Sequence, residues 1–387
     1  MNTLFADRIL TTRKSFIREI LKVTENPRVI SFAGGLPNSR FFPVKEIKDA
    51  ANKVLEEDGK NVLQYSTTEG YLPLREYIAK RYLDKKGLKI SPDEILITNG
   101  SQQCLDLIGK TFLNKGDHVA IERPGYLGTI QAFSMFEPAF HSVPLLDDGI
   151  DTPFLEKTFD EHRIKMFSAV INFQNPSGIT YSKQKRIELG EIIRDHNSSF
   201  IEDDPYGELR FMGVDLPSVR NYLEENTILL GSFSKIVSPG IRLGWMCARK
   251  EILDKTIVAK QAADLHSNNL SQRILYRYLI DNDLDEHIEK LRKAYKEQRD
   301  LMVSLIEEQF PEGGMFLWIT LPENLSSMEL FNQAIKENVA FVPGSPFYVG
   351  GGGENTLRLN FSNSDKEKIE EGIKRLAGII NKVIAEK

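Results

Sequence analysis

The chain has 387 residues, and its 55 Asp and Glu outweigh 50 Lys and Arg to leave a formal charge of −5. Hydrophobic residues make up 41% and charged residues 27%, the balance of a globular protein, and the length points to two domains rather than one core. The acid excess argues against nucleic acid as a partner, because phosphate-backbone binding needs a basic footprint.

The opening stretch MNTLFADRILTTRKSFIREILKV alternates charge with apolar residues and lacks the continuous apolar core of a signal peptide. Short apolar runs then predict buried strands at Glu94–Thr98, His118–Glu122, Phe167–Phe173, Ser198–Asp203 and Thr227–Phe233. Helical patterns lie between them, at Gln102–Thr111 and at Lys183–Asp195, the second after the capping candidates Thr180 and Ser182. Strands alternating with helices predict a mainly parallel sheet covered on both faces.

The texture changes near residue 280. A charged helical segment, Asp283 to Gln309, precedes the short strands GGMFLWITL, AFVPGSPFY and NTLRLNFS and a terminal helix from about Asp365. We therefore expect an N-terminal segment (1–50) packed with a small α+β domain (283–387), and a large domain (51–282) between them. No apolar run approaches the roughly 20 residues that span a bilayer, so no membrane partner is expected. Cys104 and Cys247 lack partner spacing and suit a reducing, cytoplasmic setting, and the six histidines show no HExxH or other local ligand spacing, so no metal is expected.

Ligands of such sheets sit beyond the carboxyl ends of the strands. Polar residues cluster at those exits: Asn99-Gly100-Ser101-Gln102 after ILIT, Gln174-Asn175-Pro176-Ser177-Gly178 after AVINF, Asp203-Asp204-Pro205-Tyr206 after SSFIE, and Ser234-Lys235 after ILLGSF. Four such exits on one side of a sheet predict one site. Within GSFSKIVSPGIRLGW, Lys235 and Arg242 are the two cations among small, apolar and hydroxyl residues. A solvated surface lysine would keep charged neighbours, and Lys235 has none nearby in sequence.

The segments SFAGGLP, GSQQ, NFQNPSG, EDDPYGEL and SFSK…SPGIRLGW, in this order and spacing, resemble the class I/II aminotransferases of fold type I, which use pyridoxal 5′-phosphate. The resemblance runs from Ser31 to Arg358 and is strongest to the 2-aminoadipate, kynurenine and aromatic aminotransferase branch. It implies an α/β fold, with a mainly parallel seven-stranded sheet flanked by helices and a smaller α+β domain. It also implies transfer of an amino group between an L-amino acid (2-aminoadipate, aromatic or aliphatic) and a 2-oxo acid such as 2-oxoglutarate.

The same resemblance assigns roles. Lys235 is the imine-forming lysine and carries a proton between substrate and cofactor. Arg242, Ser232 and Ser234 hold the cofactor phosphate with backbone amides of Gly100, Ser101 and Gln102, where a helix start is a natural anion seat. Asp203 pairs with the pyridine nitrogen and strengthens the electron sink. The D-x-x-Y match selects it over Asp204, and a plain acidic turn is the alternative. Tyr206 and Asn175 reach the ring's phenolic oxygen. Tyr126 stacks on the ring, or else packs at a loop edge. Tyr65 reaches the phosphate of a neighbouring subunit, which implies a homodimer with shared sites. Arg358 binds the substrate α-carboxylate through its planar fork, while Gly34 or Gly35 lets backbone approach the substrate. Gly350–Gly353 reads as a loop at the mouth. Arg18 meets a distal carboxylate or, equally, is an exposed helix arginine paired with a glutamate.

Two rival functions share these features. A lyase or decarboxylase would use the same cofactor contacts. A ligand-sensing regulator built on this fold would need a helix-turn-helix module ahead of Ser31, for which the stretch before SFAGGLP is too short. The glycines of VGGGGEN lack the GxxxxGK[ST] spacing of a phosphate loop.

Overall fold

The computed structural model describes residues 4–12, 16–23, 26–306 and 311–386. Its described strands, in chain order, are β1 (Ile30–Ser31), β2 (Ile95–Thr98), β3 (His118–Arg123), β4 (Ala139–Leu146), β5 (Gly149–Ile150), β6 (Ile164–Ala169), β7 (Ser199–Asp203), β8 (Thr227–Ser232), β9 (Gly244–Cys247), β10 (Phe316–Thr320), β11 (Val339–Ala340), β12 (Val342–Pro343) and β13 (Thr356–Asn360).

One sheet has eight strands in the order β2-β9-β8-β7-β6-β3-β4-β5. The pairs between β8 and β4 are parallel, whereas β9 runs antiparallel to both of its neighbours, so β2 points the same way as β8. The sheet is mainly parallel as expected, with eight strands instead of seven. The extra strand is the two-residue β5, which hairpins onto Leu145 and Leu146.

Side-chain alternation sends successive residues to opposite faces. Ile201, Ile228, Leu230 and Met246 pack with Cys104, Leu105 and Ile108 of the helix Ser101–Phe112. Phe167 and Phe200 pack on the other face with Leu189 and Ile193 of the helix Lys183–Asp195. Ser182 caps that helix, its Oγ accepting from the Lys185 amide (3.2 Å). Burial on both faces explains why these strands read as continuous apolar runs rather than alternating ones.

The predicted strand Phe167–Phe173 differs. β6 begins at Ile164 and leaves the ladder after Ala169, yet Val170–Phe173 stays buried. Its backbone finds other partners: Val170 N–H donates to Glu122 Oε2 (3.2 Å), Phe173 N–H to Thr180 Oγ1 (3.2 Å), and Ile171 O accepts from Tyr181 N–H (2.9 Å). An apolar run therefore marked burial correctly and strand pairing wrongly.

Beyond the eight-stranded sheet, β10, β13 and β12 form a three-stranded antiparallel sheet, and β1 pairs in parallel with β11. The helix Val44–Val62 crosses the expected boundary at residue 50 without a break there, because nothing in KEIKDAANKV stops a helix. A short connection at Asn282–Asp283 separates the helices Asn269–Asp281 and Leu284–Ile306. One apolar cluster joins Ile97, Leu229 and Phe233 of the large sheet's side to Phe316, Phe341, Leu357 and Ile369 of the C-terminal part. No helix among the described residues is long and apolar enough to cross a membrane.

Candidate active site

Because β2, β3, β6, β7 and β8 share one direction, their carboxyl ends release the polar segments along one edge. Lys235, three residues beyond β8, is half-buried, and its Nζ donates to the carbonyl oxygen of Gly35 (2.6 Å). Burial, then the positive charges of Arg358 and Arg242, push its pKa down to about 8. A Cβ added to Gly35 would lie 2.9 Å from the Phe316 ring, so the backbone can come this near only as glycine.

Asp203 ends β7, is 1% exposed, and neither carboxylate oxygen has a hydrogen-bond partner among the described residues. Burial and then repulsion from Asp204 push its pKa up to about 7. Asp204 is occupied otherwise, accepting from Asn172 Nδ2 (2.9 Å), and Arg186 Nη2 holds that amide through its oxygen (2.7 Å). The charge of Asp203 is felt at Tyr126 and Tyr206, and that of Asp204 at Tyr82. Alternation thus separates the two carboxylates that the sequence left adjacent.

Tyr206 is buried, with its phenol raised far above 10 by burial, and its oxygen accepts from Asn175 Nδ2 (3.3 Å). Asn175 Oδ1 accepts from Arg358 Nη1 (2.6 Å), and Arg358 Nη2 donates to Ala33 O (2.6 Å). Arg358, 1% exposed on β13, lies 4.3 Å above the Phe316 ring centre and leaves its buried Nε without a partner among the described residues. Desolvation brings its pKa down to about 10. A buried cation without a carboxylate is costly, and an incoming anion would offset that cost.

A second cluster forms beside β2. Gly100, at φ 79°, starts the helix Ser101–Phe112 with no side-chain cap, so its first amides lack intrahelical partners. A Cβ on Gly100 would stand 2.7 Å from Arg242 Nη2, which donates to Asn99 O (3.1 Å). Ser232 Oγ accepts from the Ser234 amide (3.1 Å), and both serines are buried. Gln102 is exposed and donates to Gly128 O (3.0 Å), beside Tyr126. Tyr126 follows β3, half-buried, its phenol pushed up to about 12 by burial.

Two predicted residues stand apart from this group. Tyr65 is 79% exposed and meets His266 edge-on. Arg18 is exposed on the helix Phe16–Val23, although its charge is felt at Tyr126. The glycines at 350–353 all take positive φ, and Gly350 and Gly351 line a groove with Phe16, Leu127 and Tyr348.

Sequence reasoning missed the residues that hold these groups. Glu122 on β3 accepts from Gln174 Nε2 (3.1 Å), Tyr181 Oη (2.9 Å) and the Val170 amide, and burial pushes its carboxyl up to about 8. Asp264 accepts from Asn99 Nδ2, Gln103 Nε2 (both 2.7 Å) and the buried Lys260 (2.8 Å), which pins the loop at Gly100. A charged residue inside an apolar strand was the available signal for Glu122; Asp264 gave none.

The family model for "Aminotransferase class I and II" matches residues 29–376. The chain belongs to this family. It is 41% identical to "Aromatic-amino-acid aminotransferase 1" of Thermococcus litoralis, over 97% of this chain and 94% of that protein. Its fold superposes on the crystal structure of Pyrococcus horikoshii kynurenine aminotransferase with a TM-score of 0.94 at 42% identity, covering 98% of each chain. It superposes equally on LysN, the alpha-aminoadipate aminotransferase of Thermus thermophilus complexed with N-(5′-phosphopyridoxyl)-L-leucine (TM-score 0.93, 40% identity, 100% and 99% covered). This enzyme is a pyridoxal 5′-phosphate-dependent aminotransferase of fold type I. The residues present suit that cofactor. Asp203 offers an orphaned buried carboxylate to a cationic ring nitrogen, and Gly100 and Arg242 leave a cradle for an anion.

Proposed function

We propose that the enzyme exchanges amino groups between L-amino acids bearing acidic or aromatic side chains, 2-aminoadipate among them, and 2-oxo acids such as 2-oxoglutarate. The observation that carries this reading is the chain Tyr206–Asn175–Arg358 beside Lys235, which sets a carboxylate-binding fork next to a depressed amine. When bound, pyridoxal 5′-phosphate supplies a carbon that accepts the amino group and a ring that withdraws electrons from the substrate Cα. Asp203 holds the charge of the ring nitrogen, while Tyr206 and Asn175 donate to the ring's oxygen. Arg242, Ser232, Ser234 and the amides of Gly100, Ser101 and Gln102 hold the phosphate, and Tyr126 covers the ring. Arg358 fixes the α-carboxylate, and the Gly35 backbone limits the space beside Lys235. With its pKa near 8, Lys235 can be neutral at working pH and take the α-proton on Nζ. Arg18 reads a distal carboxylate; its charge already reaches Tyr126.

The working form is a homodimer in which Tyr65 completes the partner's phosphate site. Its 79% exposure and the 71% exposure of Leu63 nearby support a covered surface there. Residues 44–282 form the cofactor-holding part, and the rest brings Arg358 and Arg18. The two buried free cysteines support a reducing cytoplasm. Lys235→Ala should abolish transamination together with the near-visible absorbance of the cofactor-loaded enzyme. An unaltered spectrum, or release of ammonia or CO2 without an amino acceptor by the native enzyme, would overturn the reading.

A further inference from the structure

Three of the six histidines meet far from the catalytic edge. His118 opens β3, His141 lies on β4, and His162 caps the helix Thr152–Glu161 just ahead of β6. Register places them together: His118 sits opposite Ala139, His141 opposite Ala120, and His118 opposite Ile164, so the side chains of His118 and His141 leave the same face. Strand order, not sequence spacing, assembles the group; His118 and His141 are 23 residues apart. They gather at the amino ends of the parallel strands, opposite the edge that holds Lys235.

The rings are close; His118 stacks on both others at 22° and 15°, and His141 and His162 are tilted by 36°. His141 and His162 have centroids 4.1 Å apart, His118 and His141 5.0 Å, and His118 and His162 5.4 Å. His118 Nδ1 and His141 Nε2 approach to 2.7 Å, and one nitrogen of each ring lies within 4.8 Å of the others. All three are half-buried, so water can reach them. Asp117 beside them adds negative charge, although Lys165 Nζ and the Asn114 amide (both 2.7 Å) already occupy it.

We propose that His118, His141 and His162 form a site for a borderline divalent cation, zinc foremost, with water in the remaining position. Three imidazoles and a water are a known donor set for such ions, at bonds of about 2.0–2.1 Å. Tetrahedral placement spaces the nitrogens by roughly 3.3–3.5 Å, so the 2.7 Å contact must open and the wider ones close, which side-chain rotation can provide. The expectation of no metal rested on local spacing, and this cluster is assembled across strands. Since the site lies away from the cofactor, it ties β3, β4 and the approach to β6 together rather than entering the reaction.

The test is calorimetric titration of the cofactor-loaded enzyme with Zn2+ in a non-chelating buffer, followed by X-ray absorption spectroscopy of the product. The expected result is about one Zn2+ per chain bound by three imidazole nitrogens. Substituting His118→Gln, His141→Gln or His162→Gln should each weaken binding by roughly tenfold or more, while His196→Gln should not. Failure of the native enzyme to take up Zn2+, an absorption spectrum without three imidazoles, or equal affinity in all four variants would overturn the proposal. The spectrum of the native enzyme decides even if a variant does not fold.

Discussion

Replacing Asp203 with Asn should stabilise the cofactor-free protein while nearly silencing the loaded enzyme. In the empty site the carboxyl pKa rises from 3.8 to about 7, because burial and Asp204 penalise the anion. Between those values the unfolded chain has already lost the proton that the folded chain keeps. Stability is therefore full below about pH 4, falls as pH rises, and levels off above pH 7. At about 1.4 kcal/mol per pH unit the loss reaches about 4 kcal/mol, of which an imperfectly bonded Asn amide would return about 1–3 kcal/mol. Urea melts of the cofactor-free proteins at pH 5 and pH 8 isolate the ionisation: the variant's advantage should grow by about 2–3 kcal/mol between them. In the loaded enzyme the same change removes one partner of a buried ion pair, worth about 3–5 kcal/mol, so kcat should fall roughly 150- to 5,000-fold. An advantage that does not change with pH, or a variant with native kcat, would refute this account of Asp203.

Arg358→Lys should lower kcat/KM for every amino acid by roughly 30- to 150-fold, or about 2–3 kcal/mol, since an ammonium cannot reproduce the forked contact. Steady-state kinetics check this, and equal losses with amines lacking the carboxylate would reject it. Arg18→Ala should reduce kcat/KM selectively for glutamate and 2-aminoadipate; matching effects on phenylalanine and leucine would remove Arg18 from recognition. Tyr65→Phe should weaken cofactor retention by roughly tenfold, or about 1.4 kcal/mol, read by equilibrium dialysis, while the oligomer in sedimentation stays unchanged.

Much of the site was legible because parallel strands deliver their exits to one edge, so a linear pattern of polar residues after apolar runs becomes a cluster in space. Lys235, Asn175, Tyr206 and the Gly100 turn follow from that rule. The choice between Asp203 and Asp204 did not, since adjacent carboxylates are separated only by the alternation of β7 and by the Asn172–Arg186 pair that occupies one of them. β9 escaped because four residues, GWMC, carry too little periodicity, and β4 because it is half-exposed and contains Pro144. Glu122, Asp264 and the three histidines depend on which strands and helices become neighbours, which no local window contains.

The apolar cluster that runs unbroken from Ile97 and Phe233 to Phe316 and Leu357 bears on how a substrate enters. Swinging the two lobes apart as rigid halves would wet these side chains, at roughly 1.5–3 kcal/mol for each one fully exposed. The rim is built separately: Ile20 of the short helix Phe16–Val23 is buried with Ala33, Ala340 and Phe347, and Phe16 lines one groove with Gly350 and Gly351. Adjustment confined to that rim would leave the shared interior between the lobes dry.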